Sequence, residues 1–418
     1  MLASVARPRP GLGLPRVLPF PLLLLMAVLN SPVSGRVPHS VPRTSLPISE
    51  ADSYLTRFTI PQTYNYSVLL VDPASHTLYV GARDTIFALS LPFSGERPRR
   101  IDWMVPEAHR QNCRKKGKKE GDLGGRKTLQ QRWTTFLKAD LLCPGPEHGR
   151  ASSVLQDMAI LRPEPGAGTP VFYGIFSSQW EGAAISAVCS FRPQDIRTVL
   201  NGPFRELKHD CNRGLPVMDN DVPQPRPGEC IANNMKFQQF GSSLFLPDRV
   251  LTFIRDHPLM DRPVFPADGH PLLVTTDTAY VRVVAHRVPS LSGKEYDVLY
   301  LGTEDGHLHR AVRIGAQLSV LEDLALFPEP QPVENMKLYQ NWLLLGSGTE
   351  VTQVNTTNCG RLQSCSECIL ARDPVCAWSG RLAALVQDIE SADVSSLCPK
   401  EPGGLYDLEK CGERGWKG

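Results

Sequence analysis

Beyond its first 35 residues the 418-residue chain has no run of 18 uninterrupted apolar residues, which excludes a membrane-spanning helix there. It has no excess of charge of either sign. Its 45 Lys and Arg against 43 Asp and Glu leave +2, too weak a field to mark a nucleic-acid binder. The strings that hydrolytic chemistry requires are missing too. There is no G-x-S-x-G elbow, no H-E-x-x-H pair and no S-x-D-x-G-x-x-W box of the kind sialidases carry. The densest cysteine cluster, Cys359, Cys365, Cys368 and Cys376 followed by Trp378, contains no histidine, and only Cys365-x2-Cys368 has zinc-knuckle spacing. The cluster therefore reads as disulfides rather than as a metal centre.

The compartment agrees with that reading. Arg7, Arg9 and Arg16 precede an apolar run over 17–29 and the small residues Val33, Ser34 and Gly35, the pattern of a signal peptide spanning 1–35 and cleaved after Gly35. An exported chain meets an oxidising lumen, where close cysteines pair. The acceptor triplets Asn65-Tyr66-Ser67 and Asn355-Thr356-Thr357 are then glycosylation sites. Eleven cysteines cannot all pair within one chain, so at least one is left over.

A polar, Pro-rich stretch over 36–54 follows and reads as a flexible leader. Short runs of alternating apolar and polar residues come next at 66–71, 76–81 and 84–89, a meander. Further pairs of runs occur at 171–177 with 184–191, 271–276 with 278–286, 297–303 with 307–314, and 336–346 with 350–354. Repeated hairpins punctuated by Gly-Thr or Gly-Ser, with 37 prolines in the chain, predict an all-β β-propeller; a β-sandwich is the competing architecture. Residues 109–128 break the pattern with the basic run Arg114, Lys115, Lys116, Lys118 and Lys119 followed by several glycines, and read as a solvated junction.

The strings LYVGAR at 78–83, WTTFLKA at 133–139, LC at 142–143, FSSQW at 176–180, AVC at 187–189, PRPGEC at 225–230, FIRDHPLMD at 253–261 and YLGT at 300–303 resemble, in this order, a semaphorin of class 4. The resemblance implies a Sema propeller, seven-bladed in the family, over 55–357, then a small plexin-semaphorin-integrin domain over 358–400 and an unrelated tail over 401–418. The chain departs from the family at 120–121, where the end of the first blade meets a stretch that should follow the third, so much of blades one to three is missing, as in a spliced or partial form. By resemblance Cys143 pairs with Cys189, Cys359 with Cys376 and Cys365 with Cys398. Cys113 and Cys230 lose their partners with the missing segment. Cys368 loses its partner because no cysteine stands in 380–384, and Cys211 and Cys411 have none assigned. The membrane span, immunoglobulin domain and cytoplasmic tail of class 4 members have no counterpart, so this form is expected to be secreted.

Function by resemblance is that of an extracellular ligand of plexin receptors in axon guidance, negative chemotaxis and cell migration, with a homodimer as an open possibility. The alternatives are a non-signalling soluble decoy or a poorly folded variant retained in the secretory pathway, and, in another class, a propeller enzyme. No catalytic, cofactor or metal residue is assigned. For the enzyme only His307 and His309 speak, two strand residues on one face that also fit a solvent-facing position after a type I′ turn at Asp305-Gly306. Arg114, Lys115, Lys116, Lys118 and Lys119 offer a surface for heparan sulfate, with a plain solvated loop as the competing reading. Trp133 and Trp180 read as blade-packing residues, and the stretches 234–240 and 255–261 as loops suited to recognition.

Overall fold

The computed structural model describes residues 40–102, 137–144, 154–163, 168–178, 185–207, 214–229, 245–290 and 294–357, with shorter pieces at 128–129, 132–133, 151–152, 359, 362, 368, 370–378 and 411–413. Among these residues, strands greatly outnumber helices. Four larger antiparallel sheets form, numbered here as blades in chain order. Blade I contains Val68–Asp72, Thr77–Ala82, Thr85–Ser90 and Arg99–Asp102. Blade II contains Val154–Leu161, Val171–Ser177, Ser186–Phe191 and Leu273–Thr275. Blade III contains Tyr280–Pro289, Glu295–Thr303, His307–Ile314 and Gln317–Ala325, with Thr44–Leu46 added in parallel at its outer edge. Blade IV contains Asn335–Tyr339, Trp342–Gly346 and Val351–Asn355, and its outermost strand is Leu55–Phe58 from near the other end of the chain.

Strand side chains alternate between faces, so a strand buried on both sides serves two interfaces at once. In blade III, Leu299 and Leu301 pack with Tyr173, Ile175 and Val188 of blade II. Their neighbours Val298 and Tyr300 pack with Leu343, Leu345 and Val354 of blade IV. Leu344, between the last pair, turns the other way and joins Leu69, Leu78, Val80 and Phe87 of blade I. The stacking order is therefore II, III, IV, I. Among the described residues no apolar cluster joins blade I to blade II. Between them the chain runs from residue 102 to residue 154 through the sequence junction at 120–121, which lies outside the described residues.

Several sequence expectations need correction. The leader over 36–54 is not flexible throughout, because Thr44–Leu46 pairs with the outer edge of blade III and Ala51 is buried in its apolar cluster. The stretch 336–346 is two strands, not one, with a turn at Gln340, whose φ of 52° lies in the left-handed region. Residues 271–276 and 278–286 do not pair with each other. Leu273–Thr275 pairs with Ser186–Phe191 of blade II, whereas Tyr280–Pro289 opens blade III. Between Phe191 and Leu273 the chain leaves blade II and folds over it. This excursion holds a helix at Pro193–Leu200, begun by proline at its first position, and a second at Asp248–Asp256. The second helix buries Val250, Phe253 and Ile254 at i, i+3 and i+4, and Phe253 packs against Phe204 and Met260. Arg255 and Asp256 are therefore in its last turn and not in a loop.

Two disulfides have both partners among the described residues. Cys143 and Cys189 join the segment covering blade II to its third strand, and Cys359 and Cys376 close the small C-terminal unit. The expectation that Cys368 is unpaired is wrong. Cys368 is buried and disulfide-bonded, to a partner outside the residues whose side chains are described. The lack of a cysteine at 380–384 removes only one route, because a disulfide requires spatial approach and not a given sequence spacing.

Candidate interaction surfaces and internal polar sites

His307 and His309 do lie on one face of their strand, but they share a carboxylate rather than a metal. His307 Nδ1 is 2.7 Å from Asp323 Oδ1 on the adjacent strand, and His309 Nε2 is 3.4 Å from the same oxygen. On its other side His309 Nδ1 is 2.8 Å from the Tyr280 hydroxyl, within hydrogen-bond distance. Only 7% of His309 is exposed, so it is not solvent-facing, and Tyr280 is buried as well. His309 and Tyr280 are thus enclosed between strands, whereas the His307 side chain is 37% exposed, and no cluster of three metal-ligating side chains occurs among the described residues.

The electrostatics of this set are those of a structural pair. The hydrogen bond that His307 donates to Asp323 raises the pKa of His307 against the opposing effect of burial. For Asp323, burial pushes the carboxyl upward, but the two histidines overcome it and hold the carboxyl well below the usual range. The preceding loop is also not the expected type I′ turn. Only Gly306, at φ +91°, is left-handed, while His307 N–H donates to Thr303 Oγ1 at 2.7 Å. A Cβ at Gly306 would sit 2.8 Å from the Gln331 carbonyl oxygen, so glycine is needed for space as well as for φ.

Two surface clefts are prominent. The first, about 920 Å³, runs along the innermost strands and is lined by Gln156, Asp157, Arg282, Glu334 and Lys337 among others. Asp157 is occupied in structure, since it accepts from the Val283 N–H, and Arg282 donates to the Glu334 carbonyl. The second, about 450 Å³, carries Arg287, Lys294 and Arg313 beside Tyr296 and Asp297. Its arginines are engaged: Arg287 with Asp297 at 2.8 Å, Arg313 with Asp268 at 2.9 Å. Tyr173 of blade II donates to Asp297 of blade III in the same network, so these charges bind blade to blade and do not form an anion receptor.

A further polar contact ties the C-terminal unit to the stack. Arg310 of blade III meets Asp373 at 2.5 Å, with both side chains more than nine-tenths buried. Burial disfavours the guanidinium charge, and Asp373 more than restores it. Nothing in the sequence pattern marked either residue. An arginine inside an apolar strand, HLHRAVRI, was the available signal, because a buried charge needs a partner.

The glycosylation acceptors Asn65 and Asn355 are both exposed. Asn65 has φ 60°, and the Thr357 N–H bonds back to Asn355 Oδ1. Trp180, the basic residues 114–119, the stretch 234–240 and Cys113, Cys230, Cys365 and Cys398 lie outside the described residues, as do the side chains of Trp133 and Cys411.

Two family models match the chain: the Sema domain at residues 155–340 and the plexin repeat at 358–384. Human Semaphorin-4F is 64% identical over 568 residues, covering 96% of this chain and 74% of the relative. The matched span is longer than the whole 418-residue chain, so the relative has residues inside it with no counterpart here. Human Semaphorin-4B is 43% identical over 67% of this chain and 35% of that protein. In structure, Drosophila Semaphorin 1b, extracellular domains 1–2, superposes with a TM-score of 0.65 at 20% identity over 78% of this chain and 91% of that one. A chain from Drosophila Plexin A in complex with Semaphorin 1b gives 0.64 at 20% identity, over 84% and 95%.

Proposed function

This chain belongs to the semaphorin family, and on that footing we propose that it is an extracellular ligand of plexin-type receptors, acting in axon guidance, negative chemotaxis and cell migration. The observation that carries the reading is the union of a Sema blade stack with a plexin-repeat unit pinned to it through Arg310 and Asp373. That fold is shared with a chain from a plexin–semaphorin complex. Semaphorins are signalling ligands and not enzymes, in keeping with the closed His309–Tyr280 set. The test is surface plasmon resonance of the secreted full chain against a panel of plexin ectodomains, with growth-cone collapse as the cellular readout. Saturable binding with collapse supports the reading; a folded chain that binds no plexin overturns it.

The residues of the relative that have no counterpart here favour a second reading, in which the chain is a soluble decoy or is retained in the secretory pathway. Binding without collapse marks the decoy, and material confined to the lysate marks retention. Export, a homodimer, use of Asn65 and Asn355, and heparan sulfate binding through Arg114, Lys115, Lys116, Lys118 and Lys119 belong to the same proposal. So do the Cys365–Cys398 pair and free thiols among Cys113, Cys211, Cys230 and Cys411. Heparin retention that survives replacement of the four lysines by alanine removes the heparan sulfate site.

A further inference from the structure

The loop over 91–98 links the third and fourth strands of blade I at the end of Arg99–Asp102 away from residue 102. Its base is fixed. The Leu91 N–H donates to the His76 carbonyl at 2.8 Å, and the Phe93 N–H donates at 2.9 Å to Oε1 of Gln353, a buried side chain of blade IV. Its tip projects. Ser94, Gly95 and Glu96 are all exposed, and a Cβ added at Gly95, φ +75°, would meet nothing within 4 Å.

Two independent properties meet at this tip. Ser94-Gly95-Glu96 is the one S-x-E triplet in the sequence, a serine with a carboxylate two residues on, which is the form that acidophilic serine kinases of the secretory lumen read. Beside it a cavity of about 150 Å³ is lined by Arg57, Ser90, Ser94, Glu96, Arg97 and Arg99. Neighbouring arginines are committed, Arg57 to Asp52 and Glu350 and Arg100 to Asp102. The side chains of Arg97 and Arg99 form no ion pair or hydrogen bond among the described residues. Glu96 Oε2 already accepts from the Ser90 hydroxyl at 3.4 Å, and one carboxylate does not neutralise two guanidinium groups. A phosphate on the adjacent serine does, because it carries a charge of about −1.5 to −2 and three strong acceptor oxygens.

We propose that Ser94 is a phosphorylation site whose phosphate is seated in this cavity by Arg97 and Arg99. In the transfer Ser94 Oγ bonds to the γ-phosphorus of ATP, the bond from that phosphorus to the β,γ-bridging oxygen breaks, ADP leaves, and the hydroxyl proton passes to the base of the kinase. Glu96 is the residue the kinase recognises, and the two arginines hold the product. The modification turns a positive notch at the seam of blades I and IV into a neutral one, tied down by charge-assisted hydrogen bonds. Of the proposed function the inference uses only entry into the secretory pathway, which N-glycans report separately.

The test is peptide mapping by mass spectrometry of the full chain expressed in mammalian cells, taken from the medium or from a microsomal extract. Phosphate is expected on Ser94 and should be lost in Glu96→Ala as completely as in Ser94→Ala. A glycosylated chain without phosphate on Ser94, or with phosphate there that survives Glu96→Ala, overturns the proposal. A chain without glycans is instead incubated with ATP and a purified lumenal kinase of S-x-E specificity, where failure to modify Ser94 overturns it equally. Phosphorus NMR then reads the seat. The second pKa of the phosphoserine is expected below its ordinary value of about 6 and should return to it when Arg97→Gln and Arg99→Gln are combined. A pKa that the two replacements leave unmoved overturns the arginine seat.

Discussion

Asp373→Asn removes one negative charge from a pair enclosed between blade III and the plexin-repeat unit. Arg310 and Asp373 are 8 and 2% exposed, so water cannot replace the lost carboxylate. Two unit charges about 4 Å apart attract by about 4 kcal/mol at an effective dielectric constant of 20. Asparagine keeps one hydrogen-bond acceptor, and Glu322 Oε2 remains 3.2 Å from Arg310 Nε, which together offset part of this. The expected loss is about 3 kcal/mol, at the low end of what breaking a buried pair costs. Urea denaturation of the disulfide-intact secreted chain, followed by tryptophan fluorescence, measures it. The double variant Arg310→Met, Asp373→Leu should recover most of the loss, because an apolar pair of similar size needs no compensation. A single-variant loss below about 0.5 kcal/mol, in the range of exposed pairs, would refute the reasoning.

His307, its pKa raised by Asp323, contributes stability that is full below the unfolded histidine value of about 6.5 and is lost as pH rises through its folded value. Asp323, held low, contributes stability present above about 3.8 and lost as pH falls below that. The stabilising difference between the chain and its His307→Gln variant should therefore shrink as thermal midpoints are followed from pH 6 to pH 8, while the opposite slope from His286, whose pKa burial lowers, is common to both. Gly346→Ala would place a Cβ 2.2 Å from the Tyr66 carbonyl oxygen, where blade IV meets blade I. It should lower stability by about 3 kcal/mol or block secretion, whereas Gly269→Ala, with nothing within 4 Å, costs only the strain of its φ of +75°. Cys189→Ser should cost about 2 to 5 kcal/mol by freeing Cys143. Non-reducing peptide mapping should show Cys368 joined to one of the six cysteines left once Cys143–Cys189 and Cys359–Cys376 are assigned; a free Cys368 would contradict the structure.

Strand positions were legible where alternation is strict. Val171–Ser177 and His307–Ile314 fall where the sequence puts them. Pairing was less legible, because a period of two marks a strand but not its neighbour. Leu273–Thr275 sits directly before Tyr280–Pro289 in the chain and yet completes the previous blade, since the excursion after Phe191 had left that blade one strand short. The Asp248–Asp256 helix was hidden by its charges, although Val250, Phe253 and Ile254 have helical spacing. His309 shows the limit for the polar set. Alternation gives the face on which a residue lies, but whether that face is covered depends on its spatial neighbours, and Asp323 came from a strand, Gln317–Ala325, that the pattern reading had passed over. The missing segment could be read from the order of the family strings; which blade stacks on which required the packing.

The outermost strand of blade IV, Leu55–Phe58, bears on synthesis. Its Arg57 bonds to Glu350, a residue 293 positions later in the chain. At roughly 5 to 20 residues per second, the early strand emerges from the ribosome about 15 to 60 s before the edge it joins. During that interval four residues, Leu55, Thr56, Arg57 and Phe58, wait with unpaired backbone groups in the export lumen. Blade IV is thus a late checkpoint: nascent chains released before Val354 lack its closing seam. Chaperone demand should depend on how long that seam stays open rather than on how well any one blade folds.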